Sequence, residues 1–384
     1  MPKIKESRLS TRSRKERTSI PYARGFHLPT RKRCLEALAG KHEQELDKEY
    51  DSTGDFFQSI PKPSSIDDWL AQYNETGQTY QQFLDECPWL SKRKLKYVRH
   101  TFNSTGTTLQ EKYPEGKIYL LPLGEFDGET TPRFSDLAEY ARLFYDVPVE
   151  ILPPVKLVVT GDKVVWEDTL DAKELTRNPR ASRSSTRTTH YQLLSRFDSK
   201  TGHYQLQINS VLYKLRQIIP NDSICVMALT MSELYDESTD LFVAGMAAGN
   251  QRVGAFSFSR YNPTLNFSYE FWYKVYREDV KMSTTEQRRV MLQRSCKLLV
   301  HEIAHLLGVD HCIWYSCCMN GSGHLKEDFE QSMHLCPVDL RKLQTLCGFN
   351  MVERYEGLMR FYRAHGLSEE EEWVRNRLQF ITKS

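Results

Sequence analysis

The stretch His301-Glu302-Ile303-Ala304-His305-Leu306-Leu307-Gly308-Val309-Asp310-His311 decides how this chain is read. On a helix, residues four apart stand one turn above each other, so His301 and His305 present two imidazoles to one point on one face. Glu302 lies about 100° round the helix from His301, close enough to reach a water at that point without becoming a ligand. Gly308 can take a positive φ and turn the chain sharply, which brings His311 back as a third nitrogen donor. Three protein ligands and one open position is the arrangement of a catalytic zinc, whereas a structural zinc is closed by four. With 11 histidines and 19 glycines in the chain, H-E-x-x-H alone arises by chance in roughly 2% of such sequences, and the extended string in roughly 3 in 100,000. Core histidines on an amphipathic helix are therefore the weaker reading.

Upstream of the string, Ser283-Thr284-Thr285-Glu286 has the form of a capping box and predicts a helix through Val290, Cys296, Leu299 and Val300 into Leu307. Downstream, Pro337 opens a helix that stops at Gly348, and Ser368 caps a last helix through Phe380. Further out, Lys117–Leu121 reads as an apolar strand ending at the Pro122-Leu123-Gly124 turn. Phe134–Tyr145 has helical spacing, Val147–Leu152 is extended again, and Leu206–Leu215 allows a helix that ends near Pro220. Ile224–Leu229 and Val253–Phe258 read as buried strands. Alternation of strands and helices favours an α/β or α+β core.

Composition sets the outer limits. The 384 residues are 40% hydrophobic and 27% charged, with a mean hydropathy of -0.57, as expected of a globular chain with some polar extra length. No apolar run approaches the ~18 residues of a spanning helix, and Met1–Arg17, with seven Lys/Arg against two Glu, has no apolar stretch that would make a secretory signal. The net charge of +2 is concentrated in that N-terminus and in Asp171–Thr189, so no general basic face for nucleic acid is expected. The nine cysteines are an odd number, and five fall within Cys312–Cys347, which in a reducing compartment points to metal before disulfide. Residues 1–60 read as a basic, largely disordered tail and residues 61–384 as one domain. Asp171–Thr189, rich in Ser, Thr and Arg, reads as a disordered insertion, and residues from about 351 to 384 as C-terminal helices.

After His311 the chain continues with Cys312, Cys317, Met319, and then Cys336-Pro337-Val338-Asp339. Here it resembles the archaemetzincins, whose zinc-binding string runs into C-x4-C-x-M and a later C-x-x-C. Val253–Arg260 and Asn350–Tyr355 look like segments of the same family, and the resemblance spans roughly residues 60–365. It implies a metzincin-like zincin fold of the α+β class: a twisted mixed sheet, an active-site helix and a zinc-stabilised C-terminal part. It also implies two zinc ions. His301, His305 and His311 would hold the catalytic one, Cys312, Cys317 and Cys336 would belong to a second, structural one, and Met319 would be the Met-turn residue. Asp339 stands where the family has cysteine. It can ligate zinc through oxygen, or it can be a helix-start carboxylate at N3 that the helix dipole favours with or without metal. Cys318, Cys347 and water are the other candidates for that fourth position. His324 and His334 read as solvated loop histidines.

The resemblance implies a zinc metallopeptidase with Glu302 as general base, aminopeptidase-like on short peptides, and Val253–Phe258 as the edge strand along which a peptide pairs. A catalytically silent, zinc-stabilised interaction protein is the alternative. A peptide substrate is expected, with neither nucleic acid nor membrane as partner and the oligomeric state left open. The expected location is the cytoplasm, with the nucleus as a further possibility, and not the secretory route.

Overall fold

The computed structural model describes residues 20–39, 46–52, 56–90, 103, 105–168, 189–199, 202–267, 275–277 and 282–383. The Asp171–Thr189 insertion, apart from Thr189, and the first nineteen residues of the tail lie outside them. At the centre is a five-stranded mixed sheet in the order Gly245–Ala248, Val253–Ser257, Ser223–Thr230, Lys117–Leu123, Val149–Ile151. Its first pair is antiparallel and the other three are parallel.

Parallel strands are covered on both faces, which is why they read as near-continuous apolar runs. Every residue of Ser223–Thr230 is buried, and alternate side chains enter two different cores. Cys225, Met227 and Leu229 point into one core, together with Ile118 and Leu120 of the neighbouring strand. Val226 and Ala228 point into the other, with Tyr119, Leu121 and Leu123. Helices Phe134–Tyr145, Thr284–Leu306, Pro337–Cys347 and Met351–Ala364 build the first core. Helix Ile208–Ile218 and a three-stranded sheet of Lys156–Thr160, Lys163–Asp168 and Thr189–Leu193 build the second. A further small sheet joins Ser195–Asp198, His203–Gln207 and Glu233–Tyr235. The architecture is mixed α/β, and among the described residues no helix is long and apolar enough to cross a membrane.

Helix Thr284–Leu306 carries the site. Ser283 Oγ accepts the N–H of Glu286, while the Glu286 carboxylate turns to Arg289, so half of the expected capping box forms. From Ser295 to Ala304 every residue is buried. Lys297, His301 and Glu302 therefore sit where polar groups need partners.

Several expectations are corrected. The strand at Lys117 runs through Pro122 to Leu123, because Pro122 has only to offer its carbonyl, which accepts from Val155 N–H at 2.8 Å. Val253–Ser257 is not at the edge: the Gly249–Gln251 turn folds Gly245–Ala248 back onto it, and that antiparallel strand ends the sheet. The tail is not disordered where it is described. Thr30 caps a helix over Arg31–Leu38, and Phe26, Cys34, Leu38, Tyr50, Phe57 and Ile60 are buried in the first core. These apolar residues are too widely spaced to show a period, and they are fixed by distant groups: Arg341 Nη1 donates to Leu38 O, and Trp373 Nε1 to Phe56 O. The final helix begins at Ser368 with Leu367, not Ser368, as its N-cap.

Candidate active site and metal centres

The structure brings His301, His305 and His311 together, with one nitrogen of each lying within 4.8 Å of the others. Gly308 makes this possible. Its φ is +91°, and a Cβ there would lie 3.0 Å from Pro88 Cδ and 3.3 Å from Cys87 Sγ, so a side chain is excluded by conformation and by space. All three rings are oriented through Nδ1. His301 Nδ1 lies 2.6 Å from Cys318 O, His305 Nδ1 2.7 Å from Val309 O, and His311 Nδ1 3.0 Å from Glu75 Oε1. Carbonyl oxygens only accept, so His301 and His305 carry their proton on Nδ1 and keep a lone pair on Nε2. Those two Nε2 atoms are 3.0 Å apart. Two lone pairs facing each other repel unless a cation lies between them, and tetrahedral zinc at its usual Zn–N length sets such atoms about 3.3 Å apart. Burial holds both imidazoles neutral, His301 down to about 3 and His305 well below its ordinary value. The donor set fits zinc.

Glu302 is buried beside them, and its Oε1 has no hydrogen-bond partner among the described residues. Burial pushes its carboxyl up to about 8. Such an orphaned oxygen in a native fold calls for a ligand, water or a proton in transit. Met319 is fully buried, and its carbonyl accepts Cys312 N–H at 2.7 Å, which closes the loop that follows His311.

The second cluster joins Cys312, Cys317, Cys336 and Asp339, all buried. Cys312 Sγ and Cys336 Sγ are 3.6 Å apart, and Asp339 Oδ2 lies 3.3 Å from Cys317 Sγ and 3.4 Å from Cys336 Sγ. A tetrahedral zinc with Zn–S about 2.3 Å would set its sulfurs about 3.8 Å apart, so this group also fits. The sulfurs receive backbone N–H groups, from Trp314 to Cys312 and from Cys336 to Cys317. Burial raises all three thiols, Cys317 to about 11, an environment in which a free thiolate is not stable on its own. Asp339 occupies N3 as expected, yet its carboxylate turns inward to the thiols and to Lys342, whose Nζ lies 2.8 Å from Oδ1. Cys318 and Cys347 are buried but outside the cluster.

Asp68, His324 and Glu327 form a third group of metal-ligating types. Its hydrogen bonds argue against an ion. His324 Nδ1 accepts Glu327 N–H as a helix cap, so the neutral ring carries its proton on Nε2 and donates it to Asp68 Oδ1 at 2.8 Å. Asp68 Oδ2 already accepts from Ser64 and Ser65, and Glu327 from Trp69 and Gly323 N–H. This is a latch between the Ser64–Trp69 loop and helix Leu325–Glu330. His324 is accordingly not a solvated loop histidine. Nor is His334, which stacks on Trp373 at 3.8 Å and lies 2.6 Å from Glu370 Oε2.

Sequence reasoning missed Glu75, Trp69 and Lys342. Lys342 alone left a trace, as a lysine three residues along the helix from Asp339.

Residues 255–345 match Peptidase family M54, and this stretch contains the three histidines and the Cys312, Cys317, Cys336, Asp339 group. Archaemetzincin-2 of Rattus norvegicus is 28% identical over 340 residues, covering 85% of this chain and 80% of its own length. Archaemetzincin-2 of Homo sapiens is 29% identical over 345 residues with the same coverage. Archaemetzincin from Methanopyrus kandleri, a crystal structure, covers 59% of this chain and 95% of its own at 22% identity and a TM-score of 0.35. The protein is a zinc metallopeptidase. Within that class, the chain is similar to the archaemetzincins.

Proposed function

We propose that the catalytic zinc is held by His301, His305 and His311, that Glu302 is the general base, and that the protein acts as an aminopeptidase on short peptides. The observation that carries this reading is the pair of inward-facing Nε2 atoms 3.0 Å apart, with the buried Glu302 carboxylate oxygen that has no partner among the described residues. Zinc bound there would supply a Lewis acid that polarises the scissile carbonyl and makes water acidic enough to attack near neutral pH. Glu302 takes the proton of the attacking water and returns it to the leaving amine, which requires a carboxylate that stays off the metal. The Nδ1 hydrogen bonds of the three histidines hold their rings so that this geometry exists before substrate arrives.

Two features support the substrate reading. Gly245–Ala248 ends the sheet and leaves one edge for an extended peptide, as in a metzincin-like cleft. Its following residue, Gly249, comes close to the active-site helix, with a Cβ position 3.8 Å from His305 O. An open cleft of about 580 Å³ beside His305 and His311 is lined, among the described residues, by Glu75, Glu86 and Asp310 and by no Lys or Arg, a field that favours an ammonium group. The second cluster is read as a structural zinc closed by Asp339, giving two ions per chain, with Met319 as the Met-turn residue. The nine thiols, none of them in a disulfide, support a reducing compartment such as the cytoplasm.

The test is turnover of fluorogenic peptides with free and with acetylated amino termini. Chelator-sensitive hydrolysis of the free peptides alone supports the proposal. Internal cleavage of blocked peptides would replace it with an endopeptidase. No turnover by fully zinc-loaded protein would favour the interaction protein.

A further inference from the structure

We propose that Glu75 is a positioning residue of the catalytic metal centre: its carboxylate accepts the Nδ1–H of His311 and so turns that ring's Nε2 toward the other two imidazoles. The proposal rests on His311 being a zinc ligand.

His301 and His305 stand on a buried helix and take their Nδ1 acceptors from backbone carbonyls of the same C-terminal region. His311 lies beyond the helix that ends at Leu306, so no helical packing chooses between the two tautomers of its ring. Its Nδ1 partner is a carboxylate 236 residues earlier in the chain, at 3.0 Å. A carboxylate in this ion-pair geometry selects the tautomer with the proton on Nδ1, and a histidine so held is a stronger and better-aimed ligand through Nε2.

Glu75 is itself held in place. The same Oε1 accepts Trp69 Nε1 at 2.6 Å, and the Trp69 ring meets the His311 ring edge-on, with centroids 4.8 Å apart. Trp69 N–H is in turn bound by the Glu327 carboxylate at 2.9 Å. Three residues on, Gln78 Nε2 donates to Gly308 O, and Trp314 Nε1 donates to Gln78 O, so the segment grips the turn on both sides of His311. Gly77 permits this approach: its φ is +69°, and a Cβ would lie 2.5 Å from Ile313 Cγ1. The side chains of Glu75 and His311 are 20% and 17% exposed, so this is a carboxylate at the rim of the site rather than a surface ion pair. The segment that shapes the third ligand thus lies outside residues 255–345, which carry both metal clusters.

The experiment measures zinc release to a chelator in the full-length protein, alongside melting of the zinc-stripped form. His311→Ala serves as reference and should abolish the release phase of the catalytic site; unchanged zinc content there would overturn the ligand reading itself. Glu75→Ala should weaken zinc binding in that phase by roughly 10- to 100-fold, the usual effect of losing a partner behind a metal-bound histidine, while the zinc-stripped protein melts as wild type does. Glu75→Gln keeps an acceptor oxygen for both N–H groups and should recover most of the affinity. Wild-type zinc release by Glu75→Ala, with His311→Ala defective, would refute the positioning role alone. A Glu75→Gln variant as weak as Glu75→Ala would refute it too, since the hydrogen bond would not be what matters.

Discussion

Asp339 has two commitments, and removing its carboxylate separates them. Oδ1 lies 2.8 Å from Lys342 Nζ, with both side chains at 0% exposure, while Oδ2 faces Cys317 and Cys336. Asp339→Ala therefore strands a buried ammonium, and breaking one side of such a pair costs about 3–5 kcal/mol. For a chain of this length 1 kcal/mol moves Tm by about 2 °C, so the lost ion pair alone predicts a fall of about 6–10 °C with chelator present. Lys342→Met strands the carboxylate instead and should cost a similar amount under those conditions. The double variant should cost clearly less than the two singles added, because neither charge is then left alone. Zinc distinguishes the partner from the ligand. After gel filtration, Asp339→Ala should retain close to one zinc per chain, whereas Lys342→Met should keep close to two. Asp339→Cys restores a softer fourth ligand and should hold zinc more tightly than Asp339→Ala, yet it also strands Lys342, so its Tm should recover only when Lys342→Met is added. The assays are metal analysis and melting with and without chelator. If Asp339→Ala retains as much zinc as wild type, the carboxylate is only the partner of Lys342 and the four-ligand site is refuted.

Other outcomes follow from the same geometry. Glu302→Gln should keep both zincs and lose roughly 10²–10⁴-fold in turnover, since the proton acceptor goes while all three imidazoles stay; near-normal peptide hydrolysis would remove Glu302 from its role. Asp168 and Thr189 are paired across an antiparallel ladder, so residues 169–188 begin and end side by side, and a two-residue Asn-Gly turn can replace them. That excision should leave Tm and activity nearly unchanged, and a large fall in either would show that the segment is needed. Burial opposes ionisation of Asp68, but hydrogen bonds from His324, Ser64 and Ser65 win and hold its carboxyl below the usual value. Its stabilisation is therefore present above the unfolded value near 3.8 and lost as pH falls through the lower folded one. Wild type should lose more Tm than Asp68→Asn on acidification below about pH 4, and parallel profiles would contradict this.

The chain by itself determined what short-range geometry can determine. Two imidazoles four residues apart meet on any helix, a glycine three residues after His305 turns any chain, and Cys336 with Asp339 three on must share one helix start. The metal-ligating types and their grouping were thus legible in residues 301–339. So were the helices Phe134–Tyr145 and Pro337–Cys347, whose boundaries depend on local period and on Pro and Gly. Tertiary structure alone decided which carboxylate stands behind His311 and which strand ends the sheet. It also decided whether Asp339 faces solvent or sulfur, and whether Phe26, Leu38 and Phe57 are tail or core. Each of these depends on contacts between residues tens to hundreds of positions apart. Such contacts impose no period on either partner, so nothing in the sequence near Glu75 announces that it meets His311, and only the packing of the Glu75–Gln78 segment against Gly308 and Trp314 in the folded chain brings the two together.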